Sequence, residues 1–308
     1  MSLIKKANEI ELPTTVSVLI YGNPGSGKTT MACSMPKALL FDLDRGIHRA
    51  KNNSTDVVQV KSMDDVYEVL KSKEIDGYET LIFDTLGRLF DFMVCDILKR
   101  NKIAKMRIQD YGTLKIDFDN LISQIRVKNK NVLFVAHETE EKIEINGKNS
   151  IVKRPDTGIG SSGKSLIKDL DVIGYVRVQN KRPIISFNPD DDYYAKNGYD
   201  LEDNIQVPII KDGEDNNFLE EVIIKKVKES LAKRKEKEKA YNELLEYFDN
   251  EIKAIDNIDD FNLFYGDLEN KQHINNSLFV VKKKMLKRAE ELGFVADKES
   301  KKFILKTN

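Results

Sequence analysis

The chemistry of this chain is concentrated in Gly22-Asn23-Pro24-Gly25-Ser26-Gly27-Lys28-Thr29, followed by Thr30. The spacing G-x-x-x-x-G-K-T is that of a loop whose glycines let backbone N–H groups turn inward around phosphate oxygens. In such a loop Lys28 reaches the β- and γ-phosphates, and the Thr29 hydroxyl binds Mg²⁺. The loop follows an apolar, β-branched run, TTVSVLIY, and opens into a helical stretch, MACSM. That strand–loop–helix context is what a phosphate cradle requires. Asp84 ends a second apolar run, LIFD. A carboxylate there is expected to hold the Mg²⁺ shell opposite Thr29.

Hydrolysis also needs a group that orients or deprotonates water. The residue after Asp84 is Thr85, so a tandem acidic pair is absent. Asp42 and Asp44 end the strand ALLFDLD, and Glu138 follows NVLFVAH. Asp44 is taken as the activating residue, with Asp42 and Glu138 as alternatives. His137, at the end of its own apolar run, is expected to face the γ-phosphate and report its presence. Asp84-Thr85-Leu86-Gly87 matches a short D-x-x-G, but no N-K-x-D guanine motif occurs in the chain. ATP is therefore the expected nucleotide, with Mg²⁺.

These residues need a scaffold. Apolar strands are read at residues 14–21, 38–44, 56–60, 80–85 and 131–138. Helices are read at 62–72, 86–99 and 113–128. Continuous apolar strands alternating with helices predict an α/β fold with a mostly parallel sheet. Residues 139–163 read as a long irregular stretch ending in a Gly/Ser-rich piece. After it come a helix and closing strands. Composition shifts near residue 215 to Lys- and Glu-rich helical sequence. A core over 1–218 and a charged helical module over 219–308 are expected. In that module the last helix should be capped at Asn276 or Ser277 and ended by Gly293.

Composition narrows the function classes. Fifty basic against 51 acidic residues leave a net charge of −1, so any nucleic-acid contact must come from local patches. Cys33 and Cys95 are the only cysteines and no CxxC occurs, which excludes a disulfide framework and a Cys-based zinc site. No segment approaches the ~20 apolar residues of a membrane span, and the start lacks an apolar signal core. A cytoplasmic protein without membrane association is expected.

The P-loop, LLFDLD, LIFDT, QDYG, NVLFVAHE, DLDVIGYVRV and YYAK occur in that order over residues 14–200. In this the chain resembles the phage nucleotide-binding proteins of RecA type that act as single-strand annealing recombinases. The resemblance implies a RecA-like P-loop core with ATP-dependent binding of single-stranded DNA. It also implies head-to-tail homo-oligomers in a ring or filament, with a single-strand-binding protein as a partner, and the departure from the family at Asp44 points to slow hydrolysis. The host cytoplasm would be the location. Asp44 stands where the family has a Glu. Lys196 in YYAK fits the first of two basic residues that act across a subunit boundary, and Gly198 stands in place of the second.

By the same resemblance two loops face DNA. One holds Arg100, Lys102, Lys105 and Arg107; the other holds Lys148, Lys153, Arg154 and Lys164. Lysines on phosphates would give salt-dependent binding without sequence preference. Two other readings compete: a nucleotide-dependent switch or scaffold that docks replication or recombination proteins without touching DNA, and a small-molecule kinase. For the kinase no acceptor pocket or lid arginine cluster is visible in the sequence.

Overall fold

The computed structural model describes residues 14–47, 55–145, 148–159, 161–210, 214, 216–297, 300 and 302–305. The chain divides into two compact units, one ending at Ser230 and one beginning at Leu231.

The first unit is built on a ten-stranded sheet. Its first half comprises β1 (Ser17–Gly22), α1 (Lys28–Ala32), β2 (Ala38–Asp42), β3 (Asp56–Gln59), α2 (Met63–Lys71), β4 (Thr80–Asp84), α3 (Leu86–Asn101) and α4 (Asp110–Val127). Its second half comprises β5 (Asn131–Ile145), β6 (Lys148–Pro155), α5 (Ser161–Ile167), β7 (Val172–Gln179), β8 (Arg182–Ser186), β9 (Lys196–Asn197) and β10 (Ile205–Gln206). The order across the sheet is β10-β8-β7-β1-β5-β4-β2-β3. The run from β7 to β3 is parallel throughout. β8, β9 and β10 close one side in antiparallel pairing. This is the α/β, mostly parallel architecture expected from the alternation of strands and helices.

β1, β2 and β4 are buried on both faces, as strands in the middle of a covered sheet must be. Phe41, Phe83 and Phe134 stack across β2, β4 and β5 with ring centroids 4.7 and 5.5 Å apart. Phe118 of α4 and Phe90 of α3 extend the stack, at 5.4 and 5.1 Å. The alternate residues Ile20, Leu40, Ile82 and Leu133 are equally buried, as a period of two requires. Register then decides which polar residues meet at the carboxyl ends of the strands. Gly22 lies beside His137, Asp84 beside Val135, and Asp42 beside Asp84.

The division after Ser230 falls later than the 218/219 boundary read from composition. Leu219, Ile223, Ile224 and Val227 are buried, and the Leu219 N–H donates to Ser34 Oγ at 2.8 Å. These contacts tie the start of the charged segment to the first unit. The second unit holds most of α6 (Lys226–Ala254), then α7 (Ile258–Asp267), α8 (Ser277–Leu292) and a hairpin of β11 (Phe294–Ala296) and β12 (Phe303–Leu305). Its core gathers Phe248, Ile252, Phe261, Val281, Met285 and Phe303. Asn276 and Gly293 flank α8, Gly293 with φ 74°. The closing hairpin is absent from the sequence reading, which named no element after the helix ended by Gly293.

Candidate functional site

The Gly22–Thr29 loop leaves β1 and turns into α1. Gly25 and Gly27 take φ of 77° and 84°, where a side chain would be strained. No atom lies within 4 Å of where their Cβ atoms would stand, so the face of the loop is open. The Lys28 side chain folds back onto the loop. Its Nζ donates to the carbonyls of Gly22 at 2.9 Å and Asn23 at 2.7 Å, and to Ser26 Oγ at 3.4 Å. Burial lowers its pKa to about 8, against the opposing charges of Asp84 and Glu138. An ammonium so desolvated has much to gain from an anion. An open loop with a buried cation beneath it fits a polyphosphate.

Across the cleft, Thr29 Oγ1 donates to Asp84 Oδ2 at 2.5 Å. Burial raises the Asp84 pKa to about 6. The Thr29 hydrogen bond and Lys28 work against that rise, and Asp44 and Asp42 add to it. A hydroxyl and a carboxylate so close are hard oxygen donors of the kind Mg²⁺ takes. The Asp84–Thr85 peptide bond is cis.

The three acidic alternatives separate by their partners. Asp42 is buried and accepts the N–H groups of Gly46 at 2.9 Å and Ile47 at 3.4 Å, so it shapes the turn. Glu138 accepts from the Tyr175 hydroxyl at 3.1 Å and pairs with Lys153 at 3.3 Å. Asp44 lies over Gly46 and lines the cleft. That cleft, about 370 Å³, gathers Lys28, Thr29, Asp44, Asp84, Thr85 and His137. Pro24, Gly25, Gly27 and Thr30 also line it, whereas Asn23 and Ser26 contribute through their bonds to Lys28. His137 stands exposed at the mouth. Desolvation and the Lys28 charge lower its pKa, against Asp44 and Asp156. Thr85 was read from sequence only as a missing acid, and the neighbouring D-x-x-G was the one signal for it.

The second basic loop is not irregular. β5 runs on past His137 to Ile145 and pairs with β6, from Glu138 opposite Pro155 to Ile145 opposite Lys148. This hairpin corrects the expectation of a loop over 139–163. Its cations face acids. Lys153 pairs with Glu138 and, at 2.5 Å, with Glu140. Arg154 pairs with Glu141, as does Lys164 of α5. The acids were visible as His-Glu-Thr-Glu-Glu, but only the cross-strand register reveals what they meet. The side chain of Lys148 lies outside the described residues. Arg154 also stacks over Tyr194 at 5.1 Å, beside a groove of about 550 Å³ between the hairpin and α5. At the hairpin's base the Asp156 N–H donates to the His137 carbonyl at 2.7 Å.

The first basic loop is shorter than expected, because α4 begins at Asp110. Asp110 holds Arg107 through two side-chain bonds of 3.0 and 3.1 Å and its backbone N–H at 2.8 Å. Arg100 pairs with Asp96 at 2.9 Å and with Asp117. Lys102 and Lys105 are exposed and make no ion pair among the described residues. Lys196 Nζ donates to the carbonyls of Lys168 at 2.8 Å and Leu170 at 2.5 Å, after α5 of its own chain.

A family model described as an AAA domain matches residues 14–199. No curated protein matches the chain. Among solved structures, a KaiC-like protein from the hyperthermophilic archaeon Pyrococcus horikoshii OT3 is similar. Its identity is 12%, over 56% of this chain and 77% of that one, with a TM-score of 0.34.

Proposed function

The chain belongs to the AAA-domain family, and from that premise we propose that it is a slow Mg²⁺-dependent ATPase whose nucleotide state controls binding of single-stranded DNA. One observation carries the reading: a single cleft is lined by Lys28, Thr29, Asp44, Asp84 and His137. ATP would lay its phosphates on the Gly25–Gly27 face. Lys28 would leave the Gly22 and Asn23 carbonyls for phosphate oxygens. Thr29 and Asp84 would hold Mg²⁺, which neutralises charge on the β- and γ-phosphates. Asp44 orients the attacking water. His137 senses the γ-phosphate and begins the stretch of β5 that forms the hairpin. A change at His137 therefore has a short covalent route to Lys153 and Arg154.

The DNA part of the proposal rests on that route and on the resemblance to annealing recombinases. Lys102, Lys105 and the hairpin cations would meet the phosphates, and head-to-tail copies would multiply weak contacts. A single-strand-binding protein is the expected partner. The test is fluorescence anisotropy of labelled oligo-dT at low salt, with and without ATP and Mg²⁺, for wild type and Lys28→Ala. ATP should tighten binding in the wild type alone. No binding by either protein would overturn the DNA assignment.

A second reading, a nucleotide switch that docks proteins, is favoured by one observation. Arg100, Arg107, Lys153, Arg154 and Lys164 are all paired with acids of the chain itself. Recovery of replication or recombination proteins in a pull-down after nuclease treatment would support it. Loss of every partner on that treatment would count against it.

A further inference from the structure

The last helix of the second unit, α8, buries one face and breaks the rule for the other. Ser277, Val281, Met285 and Ala289, spaced by four, are its buried positions. The last three pack with Phe248 and Phe261 in the core of that unit. The opposite face of such a helix is ordinarily polar. Here it carries Phe279, 71% exposed, and Leu286, 45% exposed. Seven residues separate them, which is two helical turns, so they share one side about 10 Å apart. Lys283 stands between them and Lys287 follows, both exposed.

The charges of α8 favour an acidic visitor. From Ser277 to Arg288 there are five basic residues and no acid. Lys282, Lys284 and Arg288 are held by Glu269, Asp249 and Glu291. Lys283 and Lys287 lie on the side of Phe279 and Leu286. The first turn has no acid and the last turn has no base, while Glu290 and Glu291 close the helix. The helix dipole favours the reverse, so helix stability does not account for this pattern. We infer that this face of α8 docks an acidic segment of another protein. Apolar side chains of that segment seat on Phe279 and Leu286, and its carboxylates meet Lys283 and Lys287. Charge decides against other occupants. A second copy would bring like charges together across a two-fold axis. A nucleic acid would leave Leu286 without a partner and meet the exposed Glu290. A membrane surface calls for a broader apolar face than two side chains. Every residue involved belongs to the second unit, so the test needs no nucleotide.

Panning random phage-displayed peptides against the full chain tests this, with Phe279→Ala/Leu286→Ala as the counter-selected bait. Both positions are exposed, so the double variant should melt like the wild type. Peptides retained by the wild type alone should be rich in Asp and Glu and carry Leu or Phe. Anisotropy with one such labelled peptide then separates the two contributions. Phe279→Ala should weaken binding at least about ten-fold, as loss of an aromatic anchor does. Lys283→Glu/Lys287→Glu, also at exposed positions, should weaken it to a similar degree at low salt and turn the selection toward Lys-rich peptides. Peptides enriched without acids, peptides retained equally by the double variant, or no enrichment at all would overturn the docking surface. So would binding of oligo-dT or of phosphatidylglycerol vesicles that falls with Phe279→Ala, which would give the face to nucleic acid or membrane. A dimer in sedimentation that Phe279→Ala dissolves would give it to a second copy and overturn the assignment equally.

Discussion

Thr29, in α1, and Asp84, at the end of β4, are 55 residues apart and meet in one hydrogen bond of 2.5 Å. Neither residue is placed by its own helix or turn alone. β1 and β4 are not neighbours, since β5 lies between them. The bond spans that strand because Asp84 ends β4 and Thr29 sits on the first turn of α1. A divalent cation here would be held by these two oxygens, the Thr29 hydroxyl and the Asp84 carboxylate.

Asp84 gives the protein a pH dependence of definite sign. Its folded pKa is about 6, above the ordinary 3.8. Between those values the folded chain holds a proton that the unfolded chain has released. The destabilisation is therefore full above about pH 6 and fades as pH falls toward 4. Without Mg²⁺, Asp84→Asn should raise stability at pH 8 by up to about 3 kcal/mol and change it little at pH 4. Chemical denaturation of both proteins at the two pH values checks this. Mg-ATP affinity of the wild type should fall below about pH 6, because the proton competes with the cation.

Lys28→Met should weaken ATP binding about 100-fold, by losing charge-assisted bonds to phosphate. It should not lower the melting temperature of the nucleotide-free protein. The buried ammonium is destabilised by desolvation, and methionine fills similar space. Thermal melts with and without Mg-ATP read both effects. A large loss of unliganded stability would mean that Lys28 serves chiefly as a brace for its own loop.

Asp42 and Asp44 should behave oppositely although they are two residues apart. Asp42→Ala strands the N–H groups of Gly46 and Ile47 and should cost about 1–3 kcal/mol of stability. Asp44→Asn should leave stability nearly unchanged and slow ATP turnover about 100-fold, with KM altered little. Steady-state kinetics and denaturant curves on both variants separate the roles. Full turnover by Asp44→Asn would exclude Asp44 as the residue that orients water.

Glu141 restrains two cations, Arg154 of the hairpin and Lys164 of α5. If DNA is the ligand, Glu141→Gln should tighten oligo-dT binding several-fold and steepen its salt dependence. Anisotropy titrations across a salt series measure both. An unchanged affinity would favour the protein-docking reading.

What the sequence by itself determined was local. The G-x-x-x-x-G-K-T spacing dictates a glycine loop, because positive φ and an open backbone are properties of a few consecutive residues. The buried runs ending in Gly22, Asp84 and His137 announced a parallel sheet, because a strand covered on both faces must be apolar throughout. The end of α8 was legible in Gly293 for the same local reason, a φ of 74°.

What only the tertiary structure decided depends on which residues face one another. Asp42 and Asp44 look alike in ALLFDLD, and the turn to Gly46 gives one of them the backbone and the other the cleft. The run after His137 looked irregular, because its acids and cations pair across a hairpin rather than along one strand. Lys196 is indistinguishable from a free surface lysine until the carbonyls of Lys168 and Leu170 lie beside it. Hydrogen bonds and ion pairs reach only about 3–4 Å, so they are set by register and packing, which a linear sequence does not display.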